Sequence, residues 1–251
     1  KIKKTNLIEF QKILNNKYKL KIDNYIDLYN WSINNLEKFW KEVWIYSKII
    51  HSKPPSKIIK KDKNIWNTRW FVGSKLNYAE NLLRKRNDNV AIYFFGEDQV
   101  EEKITFNQLF DKVAKLVHSF KKMGIKKGDR VVGFMPNIPE AVIAMLATAS
   151  IGAVWSSCSP DFGIKGVLDR FSQIRPKLII GTDGYFYKGK KINCLNKLNK
   201  IKDSLPSIEN IIVINYISSL DSNWSEMFNN NAKEIDFEQL DFNHPLYIMY
   251  S

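Results

Sequence analysis

From Val90 onward the chain keeps a fixed beat: a short apolar run, a turn marked by glycine or proline, a helix-patterned stretch, then another apolar run. The runs Arg130–Phe134, Ala153–Ser157, Leu178–Thr182 and Ile211–Ile214 read as strands. A parallel strand covered on both faces has no solvent side, so apolar residues follow one another instead of alternating with polar ones. Between these runs, Pro139 fits the first position of an Ala-rich helix that reaches Ile151 and stops at Gly152. Ile164–Ile174 is a helix that ends before Pro176, and Lys191–Lys202 is expected to be helical. Strand and helix in this rhythm imply right-handed crossovers. The expected fold class is α/β, a mostly parallel sheet flanked by helices.

The beat is introduced by a hairpin. Val90–Phe95 and Val100–Ile104 are expected to pair across a turn at Gly96-Glu97-Asp98. Thr105-Phe-Asn-Gln108 is a capping box, in which hydroxyl and amide side chains satisfy each other's backbone N–H groups. The helix it opens carries Leu109, Val113, Leu116, Val117 and Phe120 on one face and should end in a left-handed cap at Gly124. Residues 1–65 read as a helical, irregular segment, and 66–251 as the α/β domain. Within the segment, Ser32 is expected to cap a helix whose face is Leu36, Phe39, Trp40, Val43 and Trp44. Ser52 to Lys63 reads as a Pro- and Lys-rich connector.

The formal net charge of +13 raises nucleic-acid binding. Against it, 33 of the 39 basic residues are lysines, whereas planar recognition of phosphates and base edges favours arginine. The charge is also uneven, with +9 of it in residues 1–63. Two cysteines, Cys158 and Cys194, are too few for a disulfide framework and fit a reducing compartment, so a cytoplasmic protein with neither nucleic-acid nor membrane partner is expected. The three histidines are scattered and neither cysteine has a partner at zinc spacing, so no metal ligands are assigned.

Two stretches concentrate candidate chemistry. Gly184 to Lys191 has the G-x-x-x-x-G-K spacing of a phosphate loop after a strand, but Lys191 replaces the final Ser/Thr and three of the four spacer residues are bulky aromatics. A surface loop with solvated lysines, or a looser anion contact, fits it as well. Trp155 to Gly163, WSSCSPDFG, follows a strand and precedes a helix, where open α/β sheets bind ligands. Its hydroxyls and Pro-Asp pair could equally form the turn and cap the helix.

Trp155 to Gly163 resembles the signature of the acetoacetyl-CoA synthetases (acetoacetate–CoA ligases), members of the adenylate-forming acyl-CoA synthetase family. Lys75 to Leu83, Gly128 to Glu140 and Asp169 to Lys177 resemble the same enzymes. Acetyl-CoA synthetases carry a Gly-Gly-Phe-Ser type loop where this chain has Ser159-Pro-Asp-Phe162. The resemblance implies that ATP activates acetoacetate to an acyl-adenylate, that CoA then displaces AMP, and that Mg2+ assists. It implies a role for Lys190, Ser159, Pro160 and Asp161 at CoA. The apolar run Leu246–Tyr250 corresponds to the strand entering the family's phosphate loop, so Ser251 would meet the ATP phosphates. No catalytic residue is expected within 1–251, and these residues are expected to be inactive alone. An acyl-CoA synthetase for acetate or propionate, and a non-catalytic basic interaction module, are the alternatives.

Overall fold

Residues 5–97, 100–218 and 222–250 are described by a computed structural model of the chain. They divide into one unit of Lys1–Lys75 with Asp241–Asn243, and a second of Leu76–Leu240 with His244–Ser251.

In the first unit, Thr5 caps α1 (Asn6–Tyr18), which ends at Lys19 in the left-handed region. Asn24 caps α2 (Tyr25–Asn34) by accepting the Asp27 N–H at 3.0 Å, while its own amide donates to the Asp27 carboxylate at 2.9 Å. This reciprocal pair starts a helix well before Ser32. Ser32 therefore does not cap: it lies inside α2 and its hydroxyl donates to the Tyr29 carbonyl. The next helix, α3 (Leu36–Tyr46), begins after a break at Asn35. Phe39 and Val43 of α3 pack on a core of Phe10, Leu14, Ile22 and Leu28, and Trp44 stacks on Phe71 at 4.7 Å between centroids. The expected connector contains a strand, β1 (Lys57–Lys60), antiparallel to β2 (Arg69–Val72). The β-branched pair Ile58-Ile59 supplies its strand character, and Ile59 is buried. β3 (Lys75–Leu76) follows.

Burial gives the first unit one charged network. The Glu42 carboxylate is 3% exposed and accepts from Lys17 Nζ at 2.7 Å and the Tyr18 hydroxyl at 2.8 Å. Burial, reinforced by the Glu42 hydrogen bond and charge, pushes the Tyr18 phenol up to about 12.

The second unit opens with α4 (Tyr78–Leu82), whose cap Asn77 is fully buried and also donates to the carbonyls of Ala149, Ser150 and Glu238. β4 (Val90–Phe95) and β5 (Glu101–Thr105) form the expected hairpin; Asp98 of its turn lies outside the described residues. The capping box at Thr105 and Gln108 is present on α5 (Phe106–Lys122), and Gly124 takes φ +76° beyond its end.

There follow β6 (Arg130–Phe134), α6 (Pro139–Ser150), β7 (Val154–Cys158), α7 (Ile164–Ile174), β8 (Leu178–Thr182), β9 (Gly184–Tyr187) and β10 (Lys190–Asn193). Then come α8 (Leu195–Ser204), β11 (Asn210–Ile214), α9 (Asn223–Glu226), β12 (Leu240–Asp241) and β13 (Tyr247–Ile248). The helix expected from Lys191 starts at Leu195, because the residues before it pair as β10.

The main sheet has the order β11-β8-β6-β7-β13, and each neighbouring pair is parallel. Alternate residues face opposite cores. Val131, Trp155, Leu178, Ile180 and Ile212 pack with residues of α5 and α6, while Val132, Phe134, Cys158 and Ile179 pack with residues of α7 and α8. Both faces are covered, which explains the uninterrupted apolar runs. Helix α8 comes close to the sheet at Gly181, where a Cβ would lie 2.6 Å from Leu198, and a Cβ on Gly133 would lie 2.7 Å from the ring of Trp155 on the neighbouring strand β7. Among the described residues no helix is long and apolar enough to cross a membrane.

Candidate functional site

The chain order reverses at the centre of the sheet. After β6 it steps to β7 on one side, then returns past β6 to β8. Loops leaving the carboxyl ends of strands on either side of such a reversal diverge and leave a crevice. Here the crevice is a cleft of about 460 Å³ lined by Pro136 after β6, by Ser159, Pro160 and Asp161 after β7, and by Tyr185 and Tyr187 after β8.

The loop after β7 is built by the strand before it. Ser156 Oγ donates to the Ile248 carbonyl at 2.8 Å, and Ser157 Oγ lies 2.6 Å from the Tyr247 hydroxyl. These two hydroxyls therefore bind the strand to β13. Cys158 is buried, which pushes its thiol up against the opposing pull of Arg170, so it stays protonated. Ser159 and Asp161 are exposed. Gly163 is the α7 N-cap and no side chain caps the helix, so capping does not occupy Ser159 or Asp161. Beneath the loop, Lys197 Nζ donates to the carbonyls of Pro160 at 2.8 Å and Phe162 at 3.2 Å.

The Phe162 ring lies under the Arg170 guanidinium at 4.8 Å, and Arg170 also faces the Tyr250 ring at 5.8 Å. Tyr250 donates its hydroxyl to the Arg170 carbonyl at 2.9 Å, and burial pushes that phenol up. The loop, α7 and the residues after β13 are thus joined around one cation.

The stretch after β8 is a hairpin and not a phosphate-wrapping loop. β9 and β10 pair antiparallel, with Lys190 opposite Tyr187 and Ile192 opposite Tyr185. Lys188 and Gly189 make the two-residue turn at φ +50° and +73°, the backbone that hairpin turns require. A Walker loop would enter a helix directly after its lysine, but here Lys190 begins a strand. Lys191 Nζ is tied to the Ile217 carbonyl at 2.9 Å, whereas Lys190 is exposed at the end of the hairpin. Lys190 does not line the cleft, but the residue facing it, Tyr187, does. Burial first, then the neighbouring Cys194, Asp161 and Tyr187, push the Tyr185 hydroxyl up, leaving it a neutral donor.

Asp183 sets the root of this hairpin. It is 2% exposed and its carboxylate accepts the N–H groups of Tyr216, Ile217 and Ser218 and the Ser218 hydroxyl. Gly184 follows because nothing larger fits: a Cβ there would collide with the Ile217 side chain and the Ile192 carbonyl.

Ser159, Pro160 and Asp161 are thus brought to one cleft, with Lys190 at its margin. Ser251 lies outside the described residues. Asp183 and Lys197 carry no local signal in the sequence, because their partners lie 33 to 37 residues away, and Arg170 meets Tyr250 80 residues on. No group of three or more His, Cys, Asp or Glu that could hold a metal ion occurs among the described residues. Two phenol hydroxyls, an exposed serine hydroxyl, a carboxylate and a nearby lysine suit binding of an extended polar ligand.

Two family models match the chain. That of the AMP-binding enzymes covers residues 79–251, and that of the acetyl-coenzyme A synthetase N-terminus covers 25–82. Among curated proteins, the acetoacetyl-CoA synthetase of Macaca fascicularis is 44% identical over 99% of this chain and 40% of its own length. That of Gallus gallus is 47% identical over 92% of this chain and 37% of its own length. Among solved structures, an acetoacetyl-CoA synthetase from Streptomyces lividans superposes with a TM-score of 0.93 at 34% identity, over 100% of this chain and 40% of that one. The chain therefore spans about 40% of the length of the relatives it matches.

Proposed function

The chain belongs to the AMP-binding enzyme family, and on that premise we propose that the whole protein is an acetoacetate–CoA ligase. In this reading the acetoacetate carboxylate attacks the α-phosphorus of ATP and pyrophosphate leaves. The thiol of CoA then attacks the acyl carbon of the mixed anhydride, and AMP departs. Converting a carboxylate to an acyl phosphate anhydride supplies the leaving group that the thioester step needs. Residues 1–65 would be the N-terminal segment of such an enzyme and 66–251 part of its adenylate-forming domain.

The observation that carries the reading is the Trp155–Gly163 stretch. It resembles the acetoacetyl-CoA synthetase signature, and its Ser159, Pro160 and Asp161 line the cleft at the carboxyl edge of the sheet. We assign these three residues and Lys190 to CoA, and Ser251 to the ATP phosphates. A CoA nucleotide is anionic and extended, which an exposed lysine beside an aromatic, hydroxyl-bearing groove would accommodate. Magnesium receives no ligand from the described residues in this assignment. Two buried free thiols support a reducing, cytoplasmic setting.

The test is turnover by the whole protein with ATP, CoA and a panel of acids. Acetoacetate should give the highest kcat/KM, with AMP and pyrophosphate as coproducts. Faster turnover of acetate or propionate would move the protein to a neighbouring acyl-CoA synthetase. No AMP formation with any short acid would remove the ligase reading.

A further inference from the structure

Lys197 stands where helix electrostatics disfavour it. It is in the first turn of α8, which has no acidic residue there, beside the positive end of the helix dipole. Its ammonium has no carboxylate within ion-pair distance among the described residues. What it does have is two carbonyls of one loop, those of Pro160 and Phe162, and the face of the Phe134 ring at 5.9 Å. The Cys194 thiol, kept protonated chiefly by burial, adds a weak bond to the Pro160 carbonyl at 3.9 Å.

Holding a carbonyl also orients the amide behind it. The peptide bonds here are trans, so the N–H of each unit points opposite to its C=O. With the Pro160 and Phe162 carbonyls drawn to α8, the N–H groups of Asp161 and Gly163 face away from it. Neither N–H has a protein acceptor among the described residues. Asp161 is also a wall of the cleft. A loop peptide left free to rotate would turn its donors to the nearest carbonyl or to water; two charge-assisted bonds from one ammonium prevent this.

We propose that Lys197 is a positioning residue for the thiol cosubstrate: by fixing the Pro160 and Phe162 carbonyls, it presents the Asp161 and Gly163 N–H groups as preset donors to acceptor oxygens of coenzyme A. The inference rests on the ligase reading and on the cleft being its CoA site. It assigns Lys197 no contact with the ligand. Its charge acts through the backbone, which explains a lysine at a helix position where a carboxylate would serve the helix better.

The experiment uses the whole protein with Lys197→Met, which keeps the aliphatic stem and removes every donor, and with Lys197→Arg, which keeps charge and donors. For Lys197→Met the KM for CoA should rise about tenfold, the loss expected when two oriented donors are released. Acetoacetate-dependent pyrophosphate–ATP exchange should stay within about twofold of the parent, and Lys197→Arg should recover most of the CoA affinity. An unchanged CoA KM overturns the proposal. So does an equal fall in exchange and thioester formation with no rescue by arginine, since that marks a structural role only. Should Lys197→Met fail to fold, Lys197→Gln replaces it: with a neutral amide on a shorter stem, the CoA KM should fall between those of the parent and a donor-free loop, and parent-like behaviour overturns the proposal. Lys190→Ala, run in parallel, separates the two levels. If it raises the CoA KM while Lys197→Met does not, positioning by Lys197 is wrong. If neither raises it, the CoA roles of both lysines fall, while the ligase reading stands or falls on AMP formation alone.

Discussion

The Asp183 carboxylate accepts both the backbone N–H of Ser218, at 3.0 Å, and its hydroxyl, at 2.7 Å. With the N–H groups of Tyr216 and Ile217 added, four donors converge on one buried carboxylate at the end of β8. Asparagine there would keep one acceptor oxygen and turn an amino group on the remaining donors. Asp183→Asn should therefore lower the unfolding free energy by about 2–4 kcal/mol, the range for disrupting a buried charge with its hydrogen bonds. Urea denaturation checks it, and a loss under about 1 kcal/mol would mean the donors find water instead.

Lys190 decides between two uses of the hairpin. It is exposed and opposite Tyr187, so screening limits its worth to about 1 kcal/mol, a several-fold change in affinity. In the whole protein, Lys190→Ala should raise the KM for CoA several-fold and spare pyrophosphate exchange. Loss of exchange at unchanged CoA dependence would assign the lysine to ATP instead.

Gly133 has no room for a side chain. A Cβ would lie 2.7 Å from a Trp155 ring that is itself 2% exposed and packed in the core. Gly133→Ala should cost about 1–3 kcal/mol through overpacking, with the melting temperature falling by several degrees. Gly166→Ala is the control, because it lies within α7 and its added Cβ meets neighbours only at 3.7 Å, an ordinary van der Waals distance.

Tyr18 makes the first unit sensitive to alkali. Its phenol is raised in the folded chain from 10.0 to about 12, by burial first and by Glu42 second. The stabilisation from the protonated phenol is complete below the unfolded value and is lost as pH rises through the folded one. The parent should lose stability relative to Tyr18→Phe between about pH 10 and pH 12. Denaturation of both proteins across that range tests this, and parallel curves would show that Tyr18 ionises freely.

The sheet was legible because β6, β8 and α7 each carry their own local signals. Uninterrupted apolar runs mark a strand covered on both faces, and Gly124, Pro139 and Gly152 mark where helices begin and end. What stayed hidden depended on distance or on local competition. Asn24 and Asp27 start a helix that overrides Ser32. The hairpin at Gly184–Lys191 needed a left-handed lysine at 188, a backbone state that lysine's side chain does not advertise. Asp183 meets partners 33–35 residues away, and Lys197 meets carbonyls 35 and 37 residues back. Spacing in the sequence cannot pair such groups. The Ser159–Asp161 loop was found because its place after a strand is itself a local signal.

The pairing of β7 with β13 has a consequence in time. Ser156 bonds to Ile248, a partner 92 residues further along the chain, while β6, β7, β8 and β11 associate across much shorter intervals. Chains emerge from the ribosome amino end first, and long loops close at an entropic cost that grows with their length. The first four strands can therefore assemble while the outer rim of β7 is still bare. Until residues 247 and 248 arrive, the nascent sheet carries an unpaired edge at Trp155 and Ser156, open to mispairing with another copy during synthesis.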